Sequence, residues 1–117
     1  MEIKEEKQDG ILIVTIDKHL DTSTAGDFES RLLGIIERGE RAILIDCEQL
    51  LYVNSAGLKV FLLAAKRLEP LGGRLVLCSL ASAVLMIFEM IGFNRIMKIV
   101  GTREEGLQAL RGESAPA

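Results

Sequence analysis

Ala42-Ile43-Leu44-Ile45-Asp46-Cys47 is an apolar run without alternation, closed by one acidic residue and a cysteine. Such a run reads as a strand covered on both faces, the pattern of a parallel strand inside an α/β sheet. Leu50-Leu51-Tyr52-Val53 then forms a short connection, and Asn54-Ser55 offers a helix cap. The helix continues to about Glu69, where Pro70 and the Gly72-Gly73 pair stop it. Arg74 to Cys78, built on Leu75-Val76-Leu77, reads as a second buried strand. Strand, helix and strand in this order make a right-handed parallel crossover.

Working outward, Ile11 to Ile16 is a β-branched run preceded by the turn pair Asp9-Gly10, and residues 2–7 can supply its antiparallel partner. Asp21-Thr22-Ser23-Thr24 offers several helix N-caps, followed by the stripe Phe28, Leu32, Ile35 and Ile36 up to Gly39. Beyond Cys78, a helix is expected from about Ser82 to Ile91, ending at Gly92, then a short edge strand from Ile96 to Val100. Thr102 caps a last helix through Leu110, with Glu104 and Glu105 in its first turn, where the helix dipole favours acids. The order β-β-α-β-α-β-α-β-α predicts an α/β fold: a small mixed β-sheet with about four helices packed against it. The domain spans residues 1–111, and 112–117 read as a flexible C-terminal tail.

A chain of 117 residues fits one domain large enough to bury a core without staples. With 14 Lys and Arg against 17 Asp and Glu, the net charge is −3 and no basic cluster stands out. There is no Trp, one Tyr and four Phe. Neither phosphate neutralisation nor base stacking is provided for, so nucleic-acid binding is set aside. Cys47 and Cys78 sit inside apolar runs and read as buried free thiols rather than a disulfide. His19 is the only histidine, so no metal site is expected, and no cofactor motif occurs. The longest uncharged stretch, Leu75 to Phe88, is 14 residues, well short of the roughly 20 needed to span a bilayer. These features predict a soluble, cytoplasmic protein without membrane insertion.

Chemistry is best sought at Val53-Asn54-Ser55-Ala56-Gly57-Leu58, where a buried strand hands over to a helix. Ser55 two residues before a glycine suggests a hydrolase nucleophile elbow, but three features oppose it. Val53 stands where that motif needs its first Gly, the only histidine precedes the serine, and the chain is short for such an enzyme. No catalytic residue is assigned. Ser55 either caps the helix or offers a hydroxyl at a helix start, where an added phosphate is tolerated by free N–H groups and the dipole.

The segment from Leu44 through Leu50, followed by Val53-Asn54-Ser55-Ala56-Gly57-Leu58-Lys59-Val60, resembles the STAS domain family of anti-sigma factor antagonists and sulfate-transporter domains. Leu20-Asp21 with Ala25, Leu71-Gly72-Gly73 before the strand Leu75–Cys78, and Phe88 through Phe93 with Ile96 extend the likeness over about residues 9–110. The resemblance implies partner switching. The unphosphorylated protein binds an anti-sigma factor that is also a serine kinase, phosphorylation of Ser55 releases it, and a phosphatase resets the cycle. Asp21 matches an acidic loop residue near the modified serine. The chain departs from the family pattern at Asn54, where Asp is usual, and at Lys18-His19, where Gly-Glu is common.

The expected partner surface comprises Asp21, Thr22, Asn54, Ser55, Ala56 and Gly57 with Lys59, Val60, Leu63, Lys66 and Arg67 on the outer side of the second helix. Leu58, Phe61, Leu62, Ala65 and Leu68 form its core face. In the third helix, Val84, Ile87, Phe88 and Ile91 are expected to face the core. Leu85, Met86 and Met90 are left outward as a possible self-association patch, a homodimer through the third helix. Two functions fit: an anti-sigma factor antagonist switched at Ser55, or a STAS subunit of a transporter or signalling assembly, for example a lipid-transport ATPase complex, in which Ser55 has no switch role.

Overall fold

A computed structural model describes residues 1–112. Asp9 and Gly10 both take positive φ, 53° and 79°, and close a tight hairpin between β1 (Ile3–Gln8) and β2 (Ile11–Ile16). A two-residue strand β3 (His19–Leu20) leads to α1 (Ala25–Glu37) and β4 (Ala42–Asp46). The strand β5 (Tyr52–Val53), α2 (Ser55–Leu68), β6 (Arg74–Cys78) and α3 (Ser82–Met90) follow, and β7 (Lys98–Val100) and α4 (Arg103–Leu110) complete the order.

The main sheet runs β1-β2-β4-β6-β7, antiparallel at β1–β2 and parallel elsewhere. Each parallel step goes the same way along the sheet, so right-handed crossovers put α1, α2 and α3 on one face. There they cover Leu12, Val14, Ile16, Ile43, Ile45, Leu75 and Leu77. The alternate residues Ile11, Ile13, Leu44, Val76 and Cys78 face the other way, onto Leu107 of α4. All four phenylalanines stack edge-to-face in a row through the helical layer: Phe28–Phe61 at 5.2 Å, Phe61–Phe88 at 5.3 Å and Phe88–Phe93 at 5.8 Å between centroids. On the opposite face, a side chain at Gly106 would stand 2.5 Å from Leu44 Cδ1, so glycine lets α4 lie close on β4. The buried Asp46 carboxylate accepts Arg103 Nε at 3.1 Å and ties the first turn of α4 to the end of the same strand.

Several expectations are corrected. Leu50–Val53 is more than a connection, because Tyr52–Val53 pairs in parallel with His19–Leu20 as a separate two-stranded sheet. The edge strand is shorter than Ile96–Val100: Phe93–Arg95 forms a 3-10 turn, and Met97 turns into the core. Val60, expected on the outer side of α2, is buried together with Ala64. The cause is position: α2 is the middle helix of three and meets a neighbour on each side as well as the sheet. The converse holds at α3, the last helix of the layer, where only Val84 and Phe88 are buried. Ile87 and Ile91, expected in the core, are 36% and 47% exposed, while Leu85, expected outward, is half-buried. The C-terminal tail beyond Gly112 lies outside the described residues.

Cys47 and Cys78 are free thiols on opposite faces of the sheet, one in each core. Burial pushes the Cys47 thiol well above its usual range and the Cys78 thiol up to about 11. At pH 8 both are protonated, and the thiolate is the reactive form. A thiol reagent at pH 8 is expected to modify neither residue rapidly in the native protein and both at once in guanidinium chloride. Rapid native labelling of either would contradict this packing.

Candidate functional site

The site forms where two chain segments, 18–24 and 50–57, meet at one end of the sheet. Leu51 and Tyr52 donate their backbone N–H groups to Lys18 O at 2.8 and 3.2 Å, and Asn54 N–H donates to Leu20 O at 3.1 Å. A Cβ at Gly57 would stand 2.6 Å from Leu20 Cγ and 2.9 Å from Leu20 O. The first turn of α2 therefore rests directly on the Leu20 backbone, an approach no larger residue permits.

Asn54 is the cap. Its backbone is extended (φ −112°, ψ −175°), and Oδ1 accepts the N–H groups of Ala56 at 3.1 Å and Gly57 at 3.3 Å. Its Nδ2 donates to Thr22 Oγ1 at 3.3 Å, which joins the two loops a second time. Ser55, the first helical residue, is exposed, and no hydrogen bond engages its hydroxyl among the described residues. The capping role open to Ser55 in the sequence thus belongs to its neighbour.

The facing loop is also ordered by its own hydrogen bonds. Asp21 Oδ1 accepts Ser23 Oγ at 2.6 Å and Ser23 N–H at 2.9 Å, while Thr24 Oγ1 accepts Asp21 N–H at 2.9 Å. The Ser23 hydroxyl, and then its amide, hold the Asp21 carboxyl below the usual carboxylate range. Thr22 and Ser23 are exposed beside it. The result is a surface with an ionised carboxylate on one loop and an unengaged hydroxyl on the other.

The structure brings together Asp21, Thr22, Asn54, Ser55 and the half-buried Ala56. Gly57 and Val60 are buried and offer no side chain to a partner. Lys59 is exposed and Leu63 half-buried on the outer side of α2. Lys66 and Arg67 lie in its last turn, about 16 Å along the helix from Ser55 at 1.5 Å per residue. Two further surface residues escaped the sequence reading: Leu51 and Tyr52, 63% and 50% exposed, directly before the cap. Their signal was the run Leu50–Val53, whose outer members Leu50 and Val53 are buried while the inner two point out. His19 lies near Tyr52, with ring centroids 6.4 Å apart. Among the described residues no hydrogen bond links His19 to Ser55, and no group of three His, Cys, Asp or Glu is placed to hold a metal ion.

Fold and site together define an α/β domain that presents a serine at a strand-to-helix junction. The family model described as STAS domain matches residues 2–106, and the chain belongs to that family. It is 36% identical to BtrV of Bordetella bronchiseptica, provisionally named an anti-sigma factor antagonist, over 95% of this chain and 96% of that protein. A Thermotoga maritima structure, provisionally described as an anti-sigma factor antagonist, superposes with a TM-score of 0.89 at 22% identity, covering 93% of this chain and 94% of that one. The Bacillus cell fate determinant SpoIIAA in its phosphorylated form superposes with a TM-score of 0.73 at 20% identity, covering 94% of this chain and 100% of that one. No helix among the described residues is long and apolar enough to cross a membrane.

If Asn54 carries the cap, Asn54→Ala is expected to lower unfolding free energy by about 1 kcal/mol. Ser55→Ala should stay within about 0.5 kcal/mol of the parent. Chemical denaturation of both variants checks this, and a larger loss for Ser55→Ala than for Asn54→Ala would reverse the assignment.

Proposed function

We propose that the protein is an anti-sigma factor antagonist that binds an anti-sigma factor with serine-kinase activity and is switched off by phosphorylation of Ser55. The observation that carries this reading is the division of labour at the α2 start. Asn54 satisfies the helix, leaving the exposed Ser55 hydroxyl free for modification without loss of the cap. The names of the relatives and the phosphorylated form of SpoIIAA support it. A partner docks over Asp21, Thr22, Asn54, Ser55 and Ala56 and along Lys59 and Leu63, with Leu51 and Tyr52 at the margin. This reading places the protein in the cytoplasm and gives a phosphatase the resetting step.

Phosphorylation adds about −1.5 to −2 charge and three acceptor oxygens. Within the domain the positive end of the α2 dipole tolerates that charge, while the Ala56 and Gly57 N–H groups stay with Asn54. A partner covering the turn is not so arranged, and an acidic group there is repelled. A hundredfold loss of affinity needs only about 2.7 kcal/mol, which is within reach of a buried, unpaired phosphate. Asn54 keeps the cap of the usual Asp without its charge, so a kinase that reads that carboxylate modifies this chain slowly, and Asn54→Asp accelerates it.

A second reading, a STAS subunit of a transporter or signalling assembly without a switch, is favoured by one observation. Met86, Ile87, Met90 and Ile91 leave α3 with an exposed apolar side that a free-standing domain does not need.

The test uses purified protein, candidate serine kinases and ATP, with phosphate located by mass spectrometry. Phosphate is expected on Ser55, Ser55→Ala should stay bound in the presence of ATP, and Ser55→Asp should bind more weakly. Stable kinase binding without modification of Ser55, together with unchanged binding by Ser55→Asp, would reject the switch and favour the assembly subunit.

A further inference from the structure

The exposed large apolar side chains fall mainly into two groups. Leu51 and Tyr52 stand just before Ser55, where β5 hands over to α2. Met86, Ile87, Met90, Ile91 and Ile96, between 36% and 79% exposed, belong to α3 and the turn after it. α3 starts beyond the C-terminal end of β6 and returns toward the start of β7, so Met90, Ile91 and Ile96 lie at the opposite end of the sheet from Ser55. Ile96 and Lys98 there line a shallow cavity of about 210 Å³ with Ala65 of α2, Glu69 just after it and Arg74 of β6. The α2 helix of 14 residues separates this end from the Ser55 turn by about 20 Å.

Shape and charge together indicate what this surface accepts. Met86 with Met90, and Ile87 with Ile91, are two adjoining rows at i, i+4 spacing, a stripe against which another helix can lie. Methionine side chains adapt to varied apolar partners. The chain as a whole carries a net −3, yet the exposed charges around this end include Lys66, Arg67, Arg74, Arg95 and Lys98 against Glu69 and Glu89. A second copy of the chain brings the same cationic surplus against itself, whereas an acidic partner is drawn in.

We propose that the α3 end is a second docking surface, which takes an amphipathic helical segment of a partner protein whose apolar stripe is flanked by Asp or Glu. Because it is carried on α3 and the turn after it, with Met90, Ile91 and Ile96 at the far end of the sheet from Ser55, it stays occupied whatever the state of that serine. The protein can thus hold one partner while exchanging another. The inference does not rest on the switch at Ser55.

The test titrates wild-type protein into a fluorescent synthetic helix of about 18 residues, with Leu on one face and Glu on the rest, and into the same helix with Lys for Glu. The acidic helix is expected to bind at least about tenfold tighter than the basic one and to weaken with added salt. Its titration should shift the methyl resonances of Met86 and Met90. The double variant Met86→Gln/Met90→Gln, changed at exposed positions, should keep its melting temperature and lose about tenfold or more in affinity, while Ser55→Asp binds as the parent does. Absence of binding, equal binding of the two helices, or methyl shifts elsewhere would overturn the proposal. So would a wild-type dimer in sedimentation velocity that the double variant abolishes, which would assign the face to a second copy.

Discussion

Leu20 and Gly57 meet at a distance that no side chain at position 57 can share. The Leu20 carbonyl accepts the amide of Asn54, its side chain lies where a Cβ on Gly57 would be, and it is itself fully buried. This approach holds the 18–24 segment against the start of α2, and the rest of the site follows from it. Thr22 comes within reach of Asn54 Nδ2, and Asp21 is presented on the same surface as Ser55. The Asp21 loop keeps its own shape through Ser23 and Thr24, so two locally ordered segments are joined by one tight contact.

The sheet sets the wider frame. Three crossovers in one direction stack three helices on one face and make α2 the central one. Its middle position buries Val60 and Ala64 and narrows its free surface to Lys59, Leu63, Lys66 and Arg67. α3, at the end of the layer over a three-residue edge strand, has little to cover and keeps its apolar side open. The same topology thus yields both a rigid platform under Ser55 and an unpartnered helix at the far edge.

Much of this was legible in the chain itself. Unbroken apolar runs at Ala42–Cys47 and Arg74–Cys78 announced the central strands, Asp9-Gly10 the hairpin, and Thr102 the cap of α4, to which the structure adds the reciprocal bond from Glu105. The segment Val53–Leu58 marked the candidate site because a helix cap at a strand-to-helix junction is a local feature, whereas the close approach of Gly57 to Leu20 is not. What failed was non-local. The pairing of His19–Leu20 with Tyr52–Val53 involves two residues on each side, too few to leave a periodic signal. Which faces of α2 and α3 are buried depends on how many neighbours each helix has, and helical periodicity does not contain that number. Leu51 and Tyr52 were missed because an apolar run in a connection does not say which of its members turn outward.

The site depends most on the Leu20–Gly57 contact, and Gly57→Ala tests that contact directly. Stability by chemical denaturation and backbone amide shifts should be measured together on the variant. The contact requires a loss of about 1–3 kcal/mol, as for overpacking a tight site, and amide shifts that spread to residues 20–24 across the junction. A variant as stable as the parent, with shifts confined to the first turn of α2, would contradict it.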